Sequence, residues 1–211
     1  MEIIEHITKY IDKIKIGYPI FTDELFAYVN ECIPGLKKPV FNEYVLRYLK
    51  KHPTVKRYKK GIYYNTVETP FGMTKINYAE LIKRAYLVEG DKVIGYETGP
   101  SYMQKIGLTT QIPAHTYIVT KRNRVKVFDE KDNIYLFSPI VEINNNNYRY
   151  LQFLDVLCNR FKVNIEADNA DEIYRNYIDN YKLNFETLLA YARNYNNNKL
   201  LQNVADLARG I

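Results

Sequence analysis

The sequence predicts an α+β protein in which three helices and a β-hairpin precede a mixed α/β region and a C-terminal helical segment. Three observations lead to this prediction. Apolar residues recur at helical spacing in three segments before residue 52, and two short strand-like runs flank Gly61. Further strand-like runs occur between residues 92 and 137, and the helical period returns from Tyr148 onward.

The first two helices are predicted from one apolar stripe each. Residues 3–14 carry an isoleucine-rich stripe, and the segment from Gly17 to Pro19 ends that helix. Thr22 is the predicted N-cap of the second helix, with Asp23 and Glu24 in the first turn, where the helix dipole favours acidic side chains. Pro34 and Gly35 end it.

The third helix is predicted from Lys38 to Lys51, with Pro39 in its first turn. Its apolar side chains predict a buried face formed by Phe41, Tyr44, Val45, Tyr48 and Leu49. Two short strands, at residues 55–58 and 62–64, follow around Gly61, which can take a positive φ angle. Three helices and a hairpin within about 65 residues are in the order of a winged helix-turn-helix, which we expect to occupy residues 1–66.

Residues 66–75 contain Pro70 and Gly72 and are expected to form a linker. A second domain is expected over residues 75–211, with an α/β part to about residue 142 and a helical part over 148–211. Its predicted strands are 92–96, 116–119, 124–128 and 133–137, and its predicted helices are 78–86, 98–106, 148–160, 170–181, 184–195 and 198–208.

Basic residues are concentrated in one short window. The chain has a formal charge of +6, yet residues 37–60 hold nine Lys and Arg side chains against one acid, Glu43. A localised basic block on an otherwise neutral protein indicates an anionic partner, most often nucleic acid. A Lys-rich helix face that only meets solvent is the alternative.

On the predicted third helix and hairpin, this charge has a geometry suited to double-stranded DNA. Asn42 and Arg47 have the side chains that pair with adenine and guanine edges in the major groove, whereas lysines mainly contact phosphate. The predicted DNA-binding residues are Lys38, Asn42, Arg47, Lys50, Lys51, Lys56, Arg57, Lys59 and Lys60. A second basic cluster, at a predicted hairpin, consists of Lys121, Arg122, Arg124 and Lys126. It either extends a nucleic-acid footprint or is a solvated hairpin tip.

Several classes of protein are not expected. The sequence contains no phosphate-binding glycine loop, paired-histidine metalloprotease helix or paired-cysteine metal site, so neither an enzyme nor a metal or other cofactor is predicted. The N-terminus lacks the pattern of a secretory signal, and no apolar run approaches the ~18 residues of a membrane span. Cys32 and Cys158 form no disulfide pattern, which favours a cytoplasmic protein.

Two segments resemble the AbiEi-type antitoxins of type IV toxin–antitoxin (abortive infection) systems. Residues 57–64, a basic turn followed by Gly-Ile-Tyr-Tyr, are similar to the wing of that family. Residues 106–114, Ile-Gly-Leu-Thr-Thr-Gln-Ile-Pro-Ala, followed by Tyr-Ile-Val-Thr at 117–120, are similar to a segment and strand in its middle region. The resemblance covers roughly residues 15–140. Family recognition helices often have small residues where this chain has Phe41 and Tyr44.

The resemblance implies a DNA-binding autorepressor that also counteracts a nucleotidyltransferase-like toxin, without a stable complex being required. Two other functions stay open: a stand-alone winged-helix regulator with a ligand-sensing or dimerisation domain, and a nucleic-acid-processing enzyme that docks through the winged helix. Residues 106–113 themselves suit either a structural corner between helix and sheet or a ligand site, with Gly107 as the C-cap and Leu108 packed inside.

Overall fold

Helices and strands are divided between two units, which confirms the predicted mixed α+β class. The computed structural model describes residues 2–122 and 126–210. The units are Met1–Lys83 and Arg84–Ile211. Arg124 of the second basic cluster lies outside the described residues.

The first unit contains the three predicted helices and the predicted hairpin. In chain order its elements are α1 (Glu2–Ile11), β1 (Pro19–Phe21), α2 (Thr22–Cys32), α3 (Lys38–Lys51), β2 (Val55–Lys59), β3 (Ile62–Asn65), β4 (Glu68–Thr69), β5 (Gly72–Met73) and α4 (Tyr78–Ile82). The predicted bounds of α3 agree with the structure. Helix α1 is shorter than predicted, and the amide of Asn65 donates to the Ile11 carbonyl at its C-terminal end (3.1 Å).

The first unit contains a three-stranded antiparallel sheet of order β1-β3-β2. Strand β3 pairs with β2 and also with β1, from Pro19 opposite Tyr64 to Phe21 opposite Ile62. The sequence analysis missed β1, because a three-residue strand that starts with proline carries no alternating pattern. The core beneath the sheet is formed by residues of all three helices, including Ile7, Ile11, Leu25, Val29, Phe41, Val45 and Tyr48.

The predicted linker over residues 66–75 is instead an ordered hairpin of β4 and β5, with Glu68 opposite Met73. It is anchored at its base, because the Thr66 hydroxyl donates to the Thr74 carbonyl (2.9 Å). Gly17 (φ +80°) holds the chain on either side of this hairpin: its N–H donates to the Asn65 carbonyl (2.8 Å) and its carbonyl accepts from the Asn77 N–H (2.7 Å). These bonds tie the segment to the first unit.

The second unit begins within a π-helical turn, Lys83–Leu87, that continues α4. Its elements are β6 (Val88–Glu89), β7 (Lys92–Val93), β8 (Gly95–Thr98), α5 (Gly99–Lys105), β9 (Thr116–Thr120), β10 (Val127–Asp129), β11 (Ile134–Phe137), α6 (Tyr148–Leu157), α7 (Ala170–Asn180), α8 (Phe185–Ala192), a 3₁₀ turn (Arg193–Tyr195) and α9 (Asn198–Arg209). The predicted single strand over 92–96 is divided at Ile94. There the chain changes partners: β7 pairs with β6, and β8 with β9.

Four strands of this unit form a mixed sheet of order β10-β11-β9-β8. Strands β9 and β11 run parallel, whereas the other neighbours are antiparallel. Helix α6 contributes seven consecutive buried residues, from Leu151 to Leu157, and the core they join extends to α7, α8 and α9. The C-terminal helices therefore share a core with the α/β part.

A charged side chain lies inside this core. The Asp155 side chain is fully buried and pairs with Arg160 (3.2 Å), and it accepts a hydrogen bond from the Tyr96 hydroxyl (3.0 Å). Burial raises the pKa of Asp155, and the Arg160 guanidinium opposes that shift. The hydrogen bond from Tyr96 joins strand β8 to α6, a structural role that the sequence pattern did not indicate.

Candidate nucleic-acid interface

Helix α3 has one buried and one solvent-facing side. Phe41, Val45 and Tyr48 are buried, and the predicted Tyr44 and Leu49 are partly buried. Asn42, Glu43, Arg47 and Lys50 are exposed on the other side, together with Lys51 in the last turn. The helical period thus places every predicted ligand-facing side chain of α3 in solvent, where a nucleic acid can reach it.

Arg47 makes only weak contacts with the other residues that the structure describes. Its guanidinium lies 3.8 Å from the Glu43 carboxylate and 5.3 Å from the centroid of the Tyr44 ring. Both partners of the ion pair are mostly exposed, and exposed pairs of this spacing contribute only about 0.3–0.5 kcal/mol. A stronger anionic ligand can therefore displace Glu43.

Lys38 has a partner within the protein. Its ammonium group lies 2.7 Å from the Asp23 carboxylate and 5.9 Å from the centroid of the Phe26 ring. Asp23 and Phe26 belong to α2, so Lys38 links the first turns of two helices. Because its charge is already paired, Lys38 is a weaker candidate for a phosphate contact than Lys50 or Lys51.

The hairpin of β2 and β3 carries the other cations of the basic block. Lys56, Arg57 and Lys60 are exposed, and Lys59 is partly buried. A bulge between Arg57 and Lys59 and the positive φ angle of Gly61 (+77°) form the turn. Across residues 37–60, all of which the structure describes, eight of the nine cations are exposed.

A short network ties the tip of this hairpin to α2. The backbone N–H and the hydroxyl of Thr22 both donate to the Gly61 carbonyl, at 2.8 and 2.9 Å. The prediction that Thr22 is the N-cap was wrong: Thr22 is the first helical residue, and Phe21 precedes it without a side-chain cap bond. Strand β1 ends at Phe21 and α2 begins at the next residue. The Thr22 hydroxyl therefore does not cap the helix and donates to the hairpin instead.

Two apolar residues on the solvent side of α3 were not among the predicted site residues. Leu46 is 58% exposed and Val40 is 41% exposed. The helical period could have identified Leu46, since it falls between Asn42 and Lys50, away from the buried stripe. An exposed leucine in this position can contact the methyl group of thymine.

The described residues of the second basic cluster have different surroundings. Arg122 pairs with Glu89 (3.2 Å), and Lys121 is exposed at the end of β9. Lys126 lies over two aromatic rings of the neighbouring strand, 4.9 Å from the Tyr135 centroid and 5.6 Å from that of Phe137.

Residues 106–113 form a corner that is fastened to a later segment. Gly107 has a φ angle of +85°, and Leu108 is fully buried, as expected. The Leu108 carbonyl accepts the Glu166 N–H (3.0 Å), and the Glu166 carboxylate in turn accepts from the N–H and hydroxyl of Thr110 and from the Gln111 amide. Because an internal carboxylate occupies the polar groups of the motif, the geometry favours the structural-corner interpretation over a ligand site.

The hydrogen bonds that Thr110 and Gln111 donate to the Glu166 carboxylate, here called the clasp, predict a pH dependence of stability. Hydrogen bonds from Thr110, with a further one from Gln111, lower the pKa of Glu166 to about 2. A carboxylate with a lowered pKa stabilises the fold above the pKa of the unfolded chain, about 4.3, and loses that contribution as the pH falls toward 2. In urea unfolding between about pH 5 and pH 2, the wild type is expected to lose more stability than Glu166→Gln. Equal losses in the two proteins would contradict the clasp; Glu186→Gln is the matched control.

The histidines and thiols do not assemble into a reactive site. His52 stacks on Tyr48 with centroids 3.9 Å apart, and His115 bonds Asn133 through Nδ1 (2.6 Å). Burial raises the pKa of the Cys158 thiol to about 11, which keeps it protonated near neutral pH. Over residues 2–122 and 126–210, no three His, Cys, Asp or Glu side chains lie close enough together to hold a metal ion.

Comparison with known proteins did not identify a family, since neither a protein-family model nor a curated protein matches the chain. Among the helices of the described residues, none is both long enough and apolar enough to cross a membrane.

Proposed function

We propose that the first unit is a winged helix-turn-helix that binds double-stranded operator DNA, and that the chain is a transcriptional autorepressor. The observation that carries the proposal is the order α1-β1-α2-α3-β2-β3 with a β1-β3-β2 sheet, in which α3 and the β2–β3 hairpin hold the basic block. In such domains the last helix enters the major groove while neighbouring elements contact the backbone.

The side chains of α3 suit two roles, contact with base edges and contact with phosphates. Arg47 pairs with a guanine edge, Asn42 with adenine and Leu46 with a thymine methyl group, whereas Lys50 and Lys51 neutralise phosphates. The bonds from Thr22 to Gly61 hold the hairpin tip in a set position against α2, and a preorganised hairpin loses less conformational entropy on binding.

The resemblance of residues 57–64 and 106–120 to AbiEi-type antitoxins extends the proposal to a type IV toxin–antitoxin system in the cytoplasm. The chain would counteract a nucleotidyltransferase-like toxin, with no cofactor and no catalytic role of its own. Co-expression tests this: a neighbouring nucleotidyltransferase-like gene arrests growth alone, and co-expression of this chain restores it. Arrest that persists would refute the antitoxin role and leave DNA binding to be judged separately.

The DNA-binding proposal is tested by gel-shift titration on the DNA directly upstream of the gene. If six to eight cations contact phosphates, the logarithm of the affinity should fall by about 5–7 for each tenfold increase in salt. Arg47→Ala is expected to lower operator affinity about tenfold while leaving binding to unrelated duplex unchanged, because the lost contact reads a base.

Arg175→Ala, at an exposed position of α7, is the matched control and should retain operator affinity and selectivity. The proposal fails if the full chain forms no shifted complex, or if Arg47→Ala and Asn42→Ala both retain wild-type selectivity.

A cavity in the second unit favours one alternative, a stand-alone regulator that senses a small ligand. It has a volume of about 430 Å³, within the range of small-molecule sites. Polar side chains from the end of α6 and from α7 and α9 line part of it: Asn159, Asp171, Asn197, Lys199, Asn203 and Asp206. This alternative would be supported if a cell metabolite extract changed the operator affinity and if no toxin gene lay nearby.

A further inference from the structure

One face of the four-stranded sheet carries a continuous group of aromatic rings, here called the aromatic platform. Strand register aligns Tyr117 of β9 with Tyr135 of β11, and Tyr135 with Phe128 of β10. One row of rings therefore crosses three strands. The platform consists of His115, Tyr117, Phe128, Tyr135, Phe137 and Phe161.

The rings touch one another but are not buried. The centroids of Phe128 and Tyr135 are 4.6 Å apart, and those of Tyr117 and Tyr135 are 5.3 Å apart. Phe137, at one end, packs against a buried cluster around Val119. Phe128, at the other end, is 38% exposed, and no ring of the platform falls in the buried class. The Phe128 and Tyr135 rings are inclined by 35° to each other, and at the β10 edge this group of rings is accessible from solvent.

Cations lie over this surface. The Lys126 ammonium group lies 4.9 Å from the Tyr135 centroid, and the Arg160 guanidinium lies 5.5 Å from that of Phe161. Because side chains alternate along a strand, the acid that follows Phe128, Asp129, lies on the opposite face, where it accepts a hydrogen bond from Tyr86 (2.9 Å). Among the described residues, the charged groups that lie over these rings are Lys126 and Arg160, and the charge of Arg160 is paired with Asp155.

We propose that the aromatic platform binds single-stranded nucleic acid. Unpaired bases stack on Phe128 and Tyr135, and Lys126 moves from the rings to a backbone phosphate. Stacking on aromatic side chains combined with nearby cations is the arrangement that proteins use for single strands, because every base has a face that can stack. A duplex cannot use this surface, since its bases are already stacked inside the helix.

A tryptophan at the platform provides a direct readout, because the chain contains no tryptophan. Phe128→Trp keeps a ring that stacks and introduces the only indole. Titration of the full chain with oligouridine or oligodeoxythymidine of about 12 nucleotides, a length within the range of known single-strand sites, should quench its fluorescence. The RNA and DNA arms establish which single strand is preferred. Absence of quenching with both would overturn the proposal.

Truncation of the rings tests the same surface independently. Phe128→Ala and Tyr135→Ala are each expected to weaken binding of a fluorescein-labelled oligonucleotide about tenfold, whereas Tyr135→Phe should bind normally. Lys126→Gln should reduce the salt dependence by about 0.7, the value for one contact to a single strand. Phe71→Ala is the control, at a fully exposed phenylalanine of the β4–β5 hairpin. Circular dichroism confirms that each variant is folded.

Different experimental results would refute this inference and the proposed duplex binding. Single-strand affinity that is lost on replacing the hairpin cations Lys56 and Lys60, but kept in Phe128→Ala and Tyr135→Ala, would assign the binding to the first unit and overturn the platform. Loss in the ring variants with unchanged operator binding is the expected result.

Discussion

Replacement of the four hairpin cations by glutamine should lower the affinity for duplex DNA by about 1,000-fold at 0.15 M salt. The variant carries substitutions at Lys56, Arg57, Lys59 and Lys60, which follow one another along the hairpin formed by β2 and β3. Each phosphate contact contributes about 0.9 to the slope of log affinity against log salt, so four contacts predict a loss of about 3.6 in that slope. Gel-shift titration at several salt concentrations measures both quantities. Site preference should persist, because the α3 side chains that are proposed to read bases are unchanged.

A variant with the same change in net charge separates local contacts from a general electrostatic effect. Lys92, Arg175, Lys199 and Arg209 are exposed residues of the second unit, and their replacement by glutamine removes four positive charges far from the basic block in sequence. This control should lose much less affinity and keep its salt slope. If both variants lose affinity equally, the hairpin does not contact the duplex.

Gly95→Ala should destabilise the second unit by about 3 kcal/mol or more, the upper end of the range for overpacked sites. An added Cβ would lie 2.2 Å from the Tyr86 carbonyl oxygen and 2.7 Å from that of Val119. Both are backbone atoms, so they cannot move aside as a flexible side chain does. Urea unfolding measures the loss, and hydrogen exchange of β8 and β9 shows where it occurs. The first unit should retain its protection.

Gly90→Ala is the matched control. Gly90 has a φ angle of +56°, and nothing lies within 4 Å of a Cβ added there. The expected loss of stability in Gly90→Ala is therefore only that of placing alanine at a positive φ angle, about 1 kcal/mol. Equal losses in Gly90→Ala and Gly95→Ala would show that the carbonyl contacts at Gly95 do not limit the fold.

Elements with a strong local pattern were predicted well. The bounds of α3 were predicted correctly because Pro39 marks its start and its apolar residues follow the helical period. The β2–β3 hairpin was predicted because a basic turn with Gly61 separates two strand-like runs. Exposure of Asn42, Arg47 and Lys50 follows from the same period. Whether they contact DNA stays a prediction.

Elements that depend on distant partners were missed. Strand β1 has three residues and exists because β3 offers it an edge. The β4–β5 hairpin was interpreted as a linker because Pro70 and Gly72 resemble linker residues, and its anchor is the bond from Thr66 to Thr74. Thr22 was assigned a local capping role, although its hydroxyl donates to the carbonyl of Gly61, 39 residues away.

The sequence alone was sufficient for the α+β class, the basic block and the solvent side of α3, because period, composition and charge are local properties. Tertiary structure decided which polar groups are already occupied: Lys38 by Asp23, and the Thr110 hydroxyl by Glu166. It also assembled the aromatic platform from rings of three strands and from Phe161, which span residues 115–161. Strand order and register determine such neighbours, and both arise only when the whole unit packs around a common core.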